Sequence, residues 1–386
     1  GYLRGRLGSD LTDLTDLTDP THLTDRAGAG RVAVGYAPPG PTSLLRHLLT
    51  AGATEQELLA AGLIKQRDRG DLIDTFRDRL LMPIRNLDDG AVVGFVGRRN
   101  PTRDDDDYAG PKYLNTRTTD AYTKGEHLFG LSDAGPALTA GAVPVLVEGP
   151  IDAWAITLAT NGAAVGLAAL GTALTPTQIE LLPPHLAGTP HQLAVATDAD
   201  PAGWRSAQTQ FWALTAAGAD PTQLALPTGR DPAQLFEHSG ANAVRDALTR
   251  RRPLGDAMID QHLHDARDWS ATATRLTLVR QAAQIIAARP SETWDPAMKS
   301  LNSWLHLSPG ILEHEVLHHS ATRDLDPADY ATQRISEIKE QAQRAPRNKV
   351  SRNPVTIDQI NDPDRPDHHH PGPGNPDLDD GRCMGR

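Results

Sequence analysis

The chain has 386 residues, 49 acidic against 38 basic side chains, a formal charge of −11 and 39% apolar residues. That length exceeds what one hydrophobic core usually serves, so two or three folded units with tails are expected. The negative balance is the wrong sign for a protein that coats nucleic acid non-specifically, so any nucleic-acid site must be local. No apolar run approaches the roughly 20 residues needed to span a bilayer.

The one cysteine, Cys383, stands in a Pro/Gly/Asp-rich tail, which excludes intrachain disulfides and a Cys-based zinc finger within these residues. A reducing, cytoplasmic setting without a membrane is the expectation. The chain begins at Gly1 with no charged start leading into an apolar stretch, so it reads as a fragment without a signal peptide.

In chain order, residues 1–30 read as a low-complexity or disordered lead, because Ser9 to Asp25 repeats a Leu-Thr-Asp triplet without helix or strand period. After Pro41, SLLRHLLTAGATEQELLAAGLI predicts two short helices broken at Gly52 and closed at Gly62, with Thr54 and Glu57 spaced as a capping box. RLLMPIRNLDDGAVVGFVGR, from Arg79 to Arg98, places two strand-like runs around Asp89-Gly90 and predicts an antiparallel hairpin. Residues 31–140 form a mixed α+β unit on this reading.

After Pro144 short apolar strands (VPVLV, AAVGLAAL, QLAVAT) alternate with Ala-rich helical segments, the pattern of a parallel sheet with crossover helices over residues 141–245. A helical region is expected over residues 246–345; its clearest period runs from Asp256 to His319, with Ser308 and Pro309 starting one helix, and reads as a separate bundle. Residues 346–386 read as a disordered tail, and His368 to His370 within it as adventitious metal binders.

The chemistry concentrates at strand ends. Glu148 follows VPVLV directly and precedes Gly149-Pro150, so it stands where a buried strand gives way to a helix, the ligand edge of an open sheet. LAVAT ends the same way at Asp198-Ala199-Asp200. A helix N-cap with Pro201 in the first turn accounts for Asp200 without a metal, and that reading stands beside the metal one. It does not account for Asp198. A DxD pair brings two carboxylates within reach of one hard cation, and magnesium takes a few carboxylate oxygens while keeping waters for a phosphate substrate.

VLVEGPID, LAALGTALT, TDADPAG and GRDPAQLF follow one another in the order and spacing of the Toprim segment of bacterial DnaG-type DNA primases. Upstream, RVAVGYAPPG, DTFRDRLLMPIRNLDDGAVVGFVGR and PKYLNTRTTDAYTKGEHLFGL resemble the amino-terminal subdomain of the same RNA-polymerase core, so the likeness covers about residues 31 to 245. The resemblance implies a Toprim-like α/β domain preceded by a mixed α+β subdomain and followed by a small helical region. It implies metal-dependent synthesis of short RNA primers on single-stranded DNA from nucleoside triphosphates, with a replicative helicase or a separate zinc-binding module as partners.

Carried over by position, Glu148, Asp152, Asp198, Asp200 and Asp231 match the acids that hold Mg2+ or Mn2+, with Glu148, Asp198 and Asp200 as the catalytic set. Glu148 is also the expected aid to proton transfer at the attacking hydroxyl. Arg79, Arg98, Lys112, Tyr113, Asn115 and Lys124 fall on motifs facing nucleotide and template. The stretch from Lys65 to Lys124 is rich in Lys and Arg although the chain is acidic, interrupted by a solvated run at Asp104 to Asp107.

Three positions depart from the family pattern: Ala199 replaces a Gly inside the DxD, Pro150 a bulky residue, and Ala233 a second downstream acid beside Asp231. The family's zinc-binding module has no counterpart in this sequence, and that absence together with the low-complexity insert suggests a divergent primase, of mobile-element or phage type.

Other readings are weighed against this one. His314-Glu315-Val316-Leu317-His318 is an HExxH string, which spaces two imidazoles on one helix face for zinc, but the longer metalloprotease signature is missing and a polar helix face is the expectation. A Toprim site also serves nucleases and topoisomerases; no nucleophilic Tyr is identifiable for the latter. A non-catalytic single-strand binding module is disfavoured by an aromatic content of 4%.

Overall fold

The computed structural model describes residues 34–103, 110–171, 173–182, 193–266, 271–305 and 309–344. The low-complexity lead, the Asp104 to Asp107 run, Ser308 and the His-containing tail lie outside the described residues.

A short strand β1 (Gly35–Ala37) precedes helices α1 (Ser43–Thr50) and α2 (Glu55–Ala60). The capping box of α2 forms as its spacing predicts, Glu57 N donating to Thr54 Oγ1 at 3.3 Å and Thr54 N to Glu57 Oε2 at 2.7 Å. Helix α1 has no side-chain cap at Thr42. Its first turn is satisfied from a distance by Asp74, which accepts from Leu44 N and Leu45 N at 2.8 and 2.9 Å. Asp74 ends β3 (Leu72–Asp74), which pairs with β2 (Ile64–Gln66).

Strands β4 (Arg79–Arg85) and β5 (Val92–Arg99) make the hairpin expected around Asp89-Gly90. With β6 (Tyr113–Asn115) they build an antiparallel sheet of order β1-β4-β5-β6. Through α3 (Leu131–Thr139) the chain enters a second sheet made of β7 (Val143–Val147), β8 (Ala164–Ala168), β9 (Ala194–Ala196), β10 (Thr222–Gln223) and β11 (Arg252–Pro253). Its order is β11-β10-β9-β7-β8, parallel throughout except for β11 at the edge. Helices α4 (Pro150–Ala159), α5 (Pro176–Glu180), α6 (Pro201–Ala216) and α7 (Pro232–Thr249) connect these strands.

Strand alternation divides the interior. Leu146, Val165, Leu167 and Val195 point into one core, while Val145, Val147, Ala164, Ala168, Ala194 and Ala196 point into another. The second core also takes Met82, Ile84 and Val96 from the antiparallel sheet, so the two sheets share packing.

Helices α8 (Leu254–Asp265), α9 (Thr272–Ala288), α10 (Trp294–Leu305), α11 (Pro309–Leu325) and α12 (Pro327–Arg344) follow. They are not the separate bundle that their period suggests: Leu278, Ile286, Leu301, Leu312 and Tyr330 belong to the same core as Leu146 and Val195. The reason lies in α9, whose second half is apolar on nearly every side and is buried from Ile285 to Ala288. Such a helix must be covered all round. Helix α12 closes the helical region expected to residue 345, burying Tyr330 and Ala331; Tyr330 meets Trp212 edge-on with ring centroids 6.1 Å apart.

No helix among the described residues is long and apolar enough to cross a membrane. A buried ion triad ties the helical region to the parallel sheet. Arg289, after α9, donates through Nε and Nη2 to Asp220 at 3.0 to 3.2 Å and through Nη1 to Asp256 of α8 at 2.6 Å. Asp220 is fully buried, so deleting its cation leaves a charge that water cannot reach. Arg289→Ala is expected to cost about 3 to 5 kcal/mol, read from urea midpoints at unchanged slope. The double substitution with Asp220→Ala should cost less than the two single losses added; strict additivity would contradict the triad's assigned contribution.

Candidate active site

Parallel pairing aligns Val147 of β7 with Ala196 of β9, so the chain leaves both strands at the same sheet edge. Glu148 is the next residue on one strand and Asp198 stands two beyond the other. Asp198 N donates to Glu148 Oε1 at 3.3 Å, joining the two strand ends directly. Glu148, Asp152, Asp198, Asp200 and Asp231 all line one cleft of about 430 Å3, with Lys112 and Tyr113 of the antiparallel sheet among the residues that complete its wall.

Each acid is held differently. Asp200 caps α6, its Oδ1 accepting from Ala202 N and Gly203 N, both at 2.8 Å, with Pro201 in the first turn. The capping role anticipated for Asp200 is therefore real, and it leaves the second oxygen outside those two bonds. Asp231 caps α7 in a reciprocal box with Gln234, at 2.6 and 3.0 Å. Asp152, buried in the first turn of α4, accepts from Ala233 N at 3.2 Å. At Ala233, then, the backbone N–H serves the cleft while the side chain is fully buried.

Ala199 is not among the residues with positive φ, which outside glycine are Asp78, Asn161 and Leu170 among the described residues, so alanine meets no left-handed strain in the DxD turn. Gly203 is constrained instead. A Cβ on it would fall 2.0 Å from Asp198 O, so only glycine lets α6 start this close to the acid-bearing turn.

The carboxylates repel one another. Burial pushes the Asp198 carboxyl up to about 6, and Glu148, Asp231 and Asp200 add to the rise while Lys112 opposes it. Glu148, though exposed as a residue, is also raised, first by desolvation; the Asp198 N–H and Lys112 hold it back. Such hard oxygen donors suit a divalent cation that keeps part of its water. Among the described residues no group of three or more Asp, Glu, His or Cys side chains is already arranged as a ready cage. The fit is thus one of donor chemistry and of negative charge that Lys112 relieves only in part.

The cationic wall is more specialised than its sequence suggests. The Lys112 ammonium lies 5.9 Å and the Arg98 guanidinium 5.5 Å from the centroid of the Tyr113 ring, whose hydroxyl side rests against Gly149. Arg98 is buried and is not part of the cleft lining. Arg79 is buried too, donating to Gly97 O at 3.0 Å and Lys112 O at 3.5 Å. Instead of presenting its charge to the cleft, it secures the backbone that carries Lys112. Asn115 Nδ2 donates to Leu170 O at 2.8 Å, and Lys124 lies over Gly171, so both act on the loop after β8 that forms the cleft rim.

That loop was not singled out residue by residue in the sequence. Leu170 carries a φ of +60°, and the loop is fastened by Thr175 and Gln178, the capping box of α5. The T-P-T-Q spacing announces the cap but not what else the two side chains reach. The HExxH helix holds no comparable site: His314 and His318 are exposed, and Glu315 faces Arg280 at 3.7 Å.

Comparison with known proteins identifies the family. A family model for the N-terminal domain of the DNA primase catalytic core matches residues 22–135, and a Toprim-like model matches residues 145–236. The DNA primase of Streptomyces coelicolor is 35% identical over 265 residues, 68% of this chain and 40% of that protein. The chain spans about two-fifths of the length of the curated relatives it matches. The RNA polymerase domain of Mycobacterium tuberculosis primase DnaG, solved with double-stranded DNA, superposes with a TM-score of 0.60 at 30% identity, covering 80% of this chain and 95% of that one. A DnaG primase catalytic domain bound to single-stranded DNA gives 0.59 at 27% identity, covering 80% and 99%. With the two family models matched one after the other along the chain and nearly the whole of a solved core covered at 30% identity, this chain belongs to the DnaG-type DNA primase catalytic core family.

Proposed function

We propose that the chain is the core of a primer-synthesising RNA polymerase that joins ribonucleoside triphosphates on a single-stranded DNA template. The observation that carries this reading is the cleft itself, with five carboxylates from strand ends and helix starts on one side and Lys112 and Tyr113 on the other. Nucleotidyl transfer needs that pairing of charges, because a 3′-hydroxyl attacks an α-phosphate that is already anionic. The solved relatives with bound DNA support a nucleic-acid template.

On this reading Glu148, Asp198 and Asp200 hold Mg2+ or Mn2+, with Asp152 and Asp231 behind them. The ion, when bound, neutralises phosphate charge and favours ionisation of an oxygen nucleophile. The protein's own groups do the rest. Glu148, held above the usual carboxylate range at the mouth of the cleft, accepts the hydroxyl proton. Lys112 and Lys124 bind phosphates, and Tyr113, braced by Arg98, offers a ring for a base or sugar to lie against. A replicative helicase and a zinc-binding module are the partners this reading calls for, and the cytoplasm its compartment.

Incubated with single-stranded DNA, labelled nucleoside triphosphates and Mn2+, the protein should make short labelled oligonucleotides, and Glu148→Gln should lower that rate by about 100-fold or more. Equal products from both would remove Glu148 from the reaction; cleavage of DNA without nucleotides would replace polymerisation with a nuclease reading. The electrostatics give a separate check in melting experiments. In divalent-free buffer at pH 8, Asp198→Asn should melt a few degrees above the parent, since a repelled, half-buried charge is gone. Added Mg2+ should raise the parent's Tm more than the variant's, and a variant that melts lower without ions would contradict the repulsion.

A further inference from the structure

The capping box of α5 does more than start a helix. Thr175 Oγ1 accepts from Gln178 N at 3.1 Å and donates to Gly125 O at 2.5 Å. The Gln178 amide is fully buried and fully used: Oε1 accepts from Thr175 N at 3.0 Å, while Nε2 donates to His127 O at 2.7 Å and Ala169 O at 2.9 Å. Two side chains thus tie together three backbone segments: the start of α5, the 3-10 turn Lys124–Glu126 with His127 after it, and the start of the loop leaving β8 at Ala169.

The turn so fastened carries Lys124 and reaches the cleft rim. A Cβ built on Gly171, which lines the cleft, would stand 3.4 Å from Lys124 Cε and 3.7 Å from Nζ. Gly125 is pressed against the strap in turn, because a Cβ there would meet Thr175 Cγ2 at 3.0 Å. The turn's own hydrogen bond, Glu126 N to Thr123 O at 3.0 Å, is local and cannot fix its distance from the rim. A lysine brings a point charge on a flexible stem, so where that charge can act is set by where its backbone is held.

We propose that Gln178, with Thr175, is a positioning residue for the incoming nucleotide: it acts through Lys124, setting the ammonium across the rim from the carboxylates so that it meets the triphosphate. This inference rests on the primase reading. It concerns ground-state binding, so the expected signature is a change in KM for the nucleotide with kcat largely kept.

The test uses the full chain with ATP and Mn2+, measuring ATP affinity directly and KM and kcat in primer synthesis. Thr175→Val removes the hydroxyl at constant shape, and Gln178→Glu turns the donating amide nitrogen into an acceptor. Each should raise the ATP Kd and KM about five- to tenfold, and Thr175→Ser, which keeps Oγ1, should restore them. Lys124→Ala should weaken binding similarly, and adding either strap substitution to it should have little further effect. Unchanged Kd and KM in Thr175→Val, or losses that add to that of Lys124→Ala, would overturn the assignment. A parent chain that neither binds ATP nor makes primer would overturn the primase reading together with it, whereas a normal parent with indifferent variants overturns the strap alone.

Discussion

The cleft exists because β7 and β9 lie side by side and run the same way. Val145, Leu146 and Val147 pair with Ala194, Val195 and Ala196, and that register delivers Glu148 and Asp198 to one edge. An antiparallel pairing of the same strands would send the acids to opposite ends of the sheet. Everything else at the site is arranged around this pairing: α4, α6 and α7 all begin at that edge, and the antiparallel sheet closes over it with Lys112 and Tyr113.

Gathering carboxylates in a half-desolvated cleft opposes folding, as the raised Asp198 and Glu148 show. The opposition is tolerated because the fold's strength lies elsewhere, in two cores on either face of the parallel sheet and in the Arg289 triad at its far side. Three helix N-termini, those of α4, α6 and α7, also direct their partial positive charge toward the acids. Local structure therefore softens the repulsion that the proposed metal site would require, without removing it.

Much of this was legible in the residues. VPVLV and LAVAT, each followed by an acid and then a Pro at a helix start, specify strand, edge and helix in a few letters, and Asp89-Gly90 specifies the hairpin. What stayed hidden is tertiary. Asp74 caps a helix about thirty residues before it, and Gln178 reaches carbonyls at 127 and 169; neither partner can be found by local spacing. Arg79 looks like any basic residue beside a strand, and only its burial against Gly97 O and Lys112 O reveals that its charge is turned inward. The tie between the helical region and the sheet is hidden for the same reason, because period reports that a face is apolar, not which surface covers it.

The five acids do not carry equal information about chemistry. Asp200 and Asp231 begin helices, so a descendant that had lost all activity would still be under pressure to keep them. Glu148 accepts one long bond from a neighbouring N–H, and Asp198 is left with mostly unfavourable company, so neither contributes much to architecture. On the proposed reading, the persistence of those two side chains among divergent members of this lineage is the fairer sign of a working enzyme, and their decay beside intact caps would mark a scaffold that has outlived its reaction.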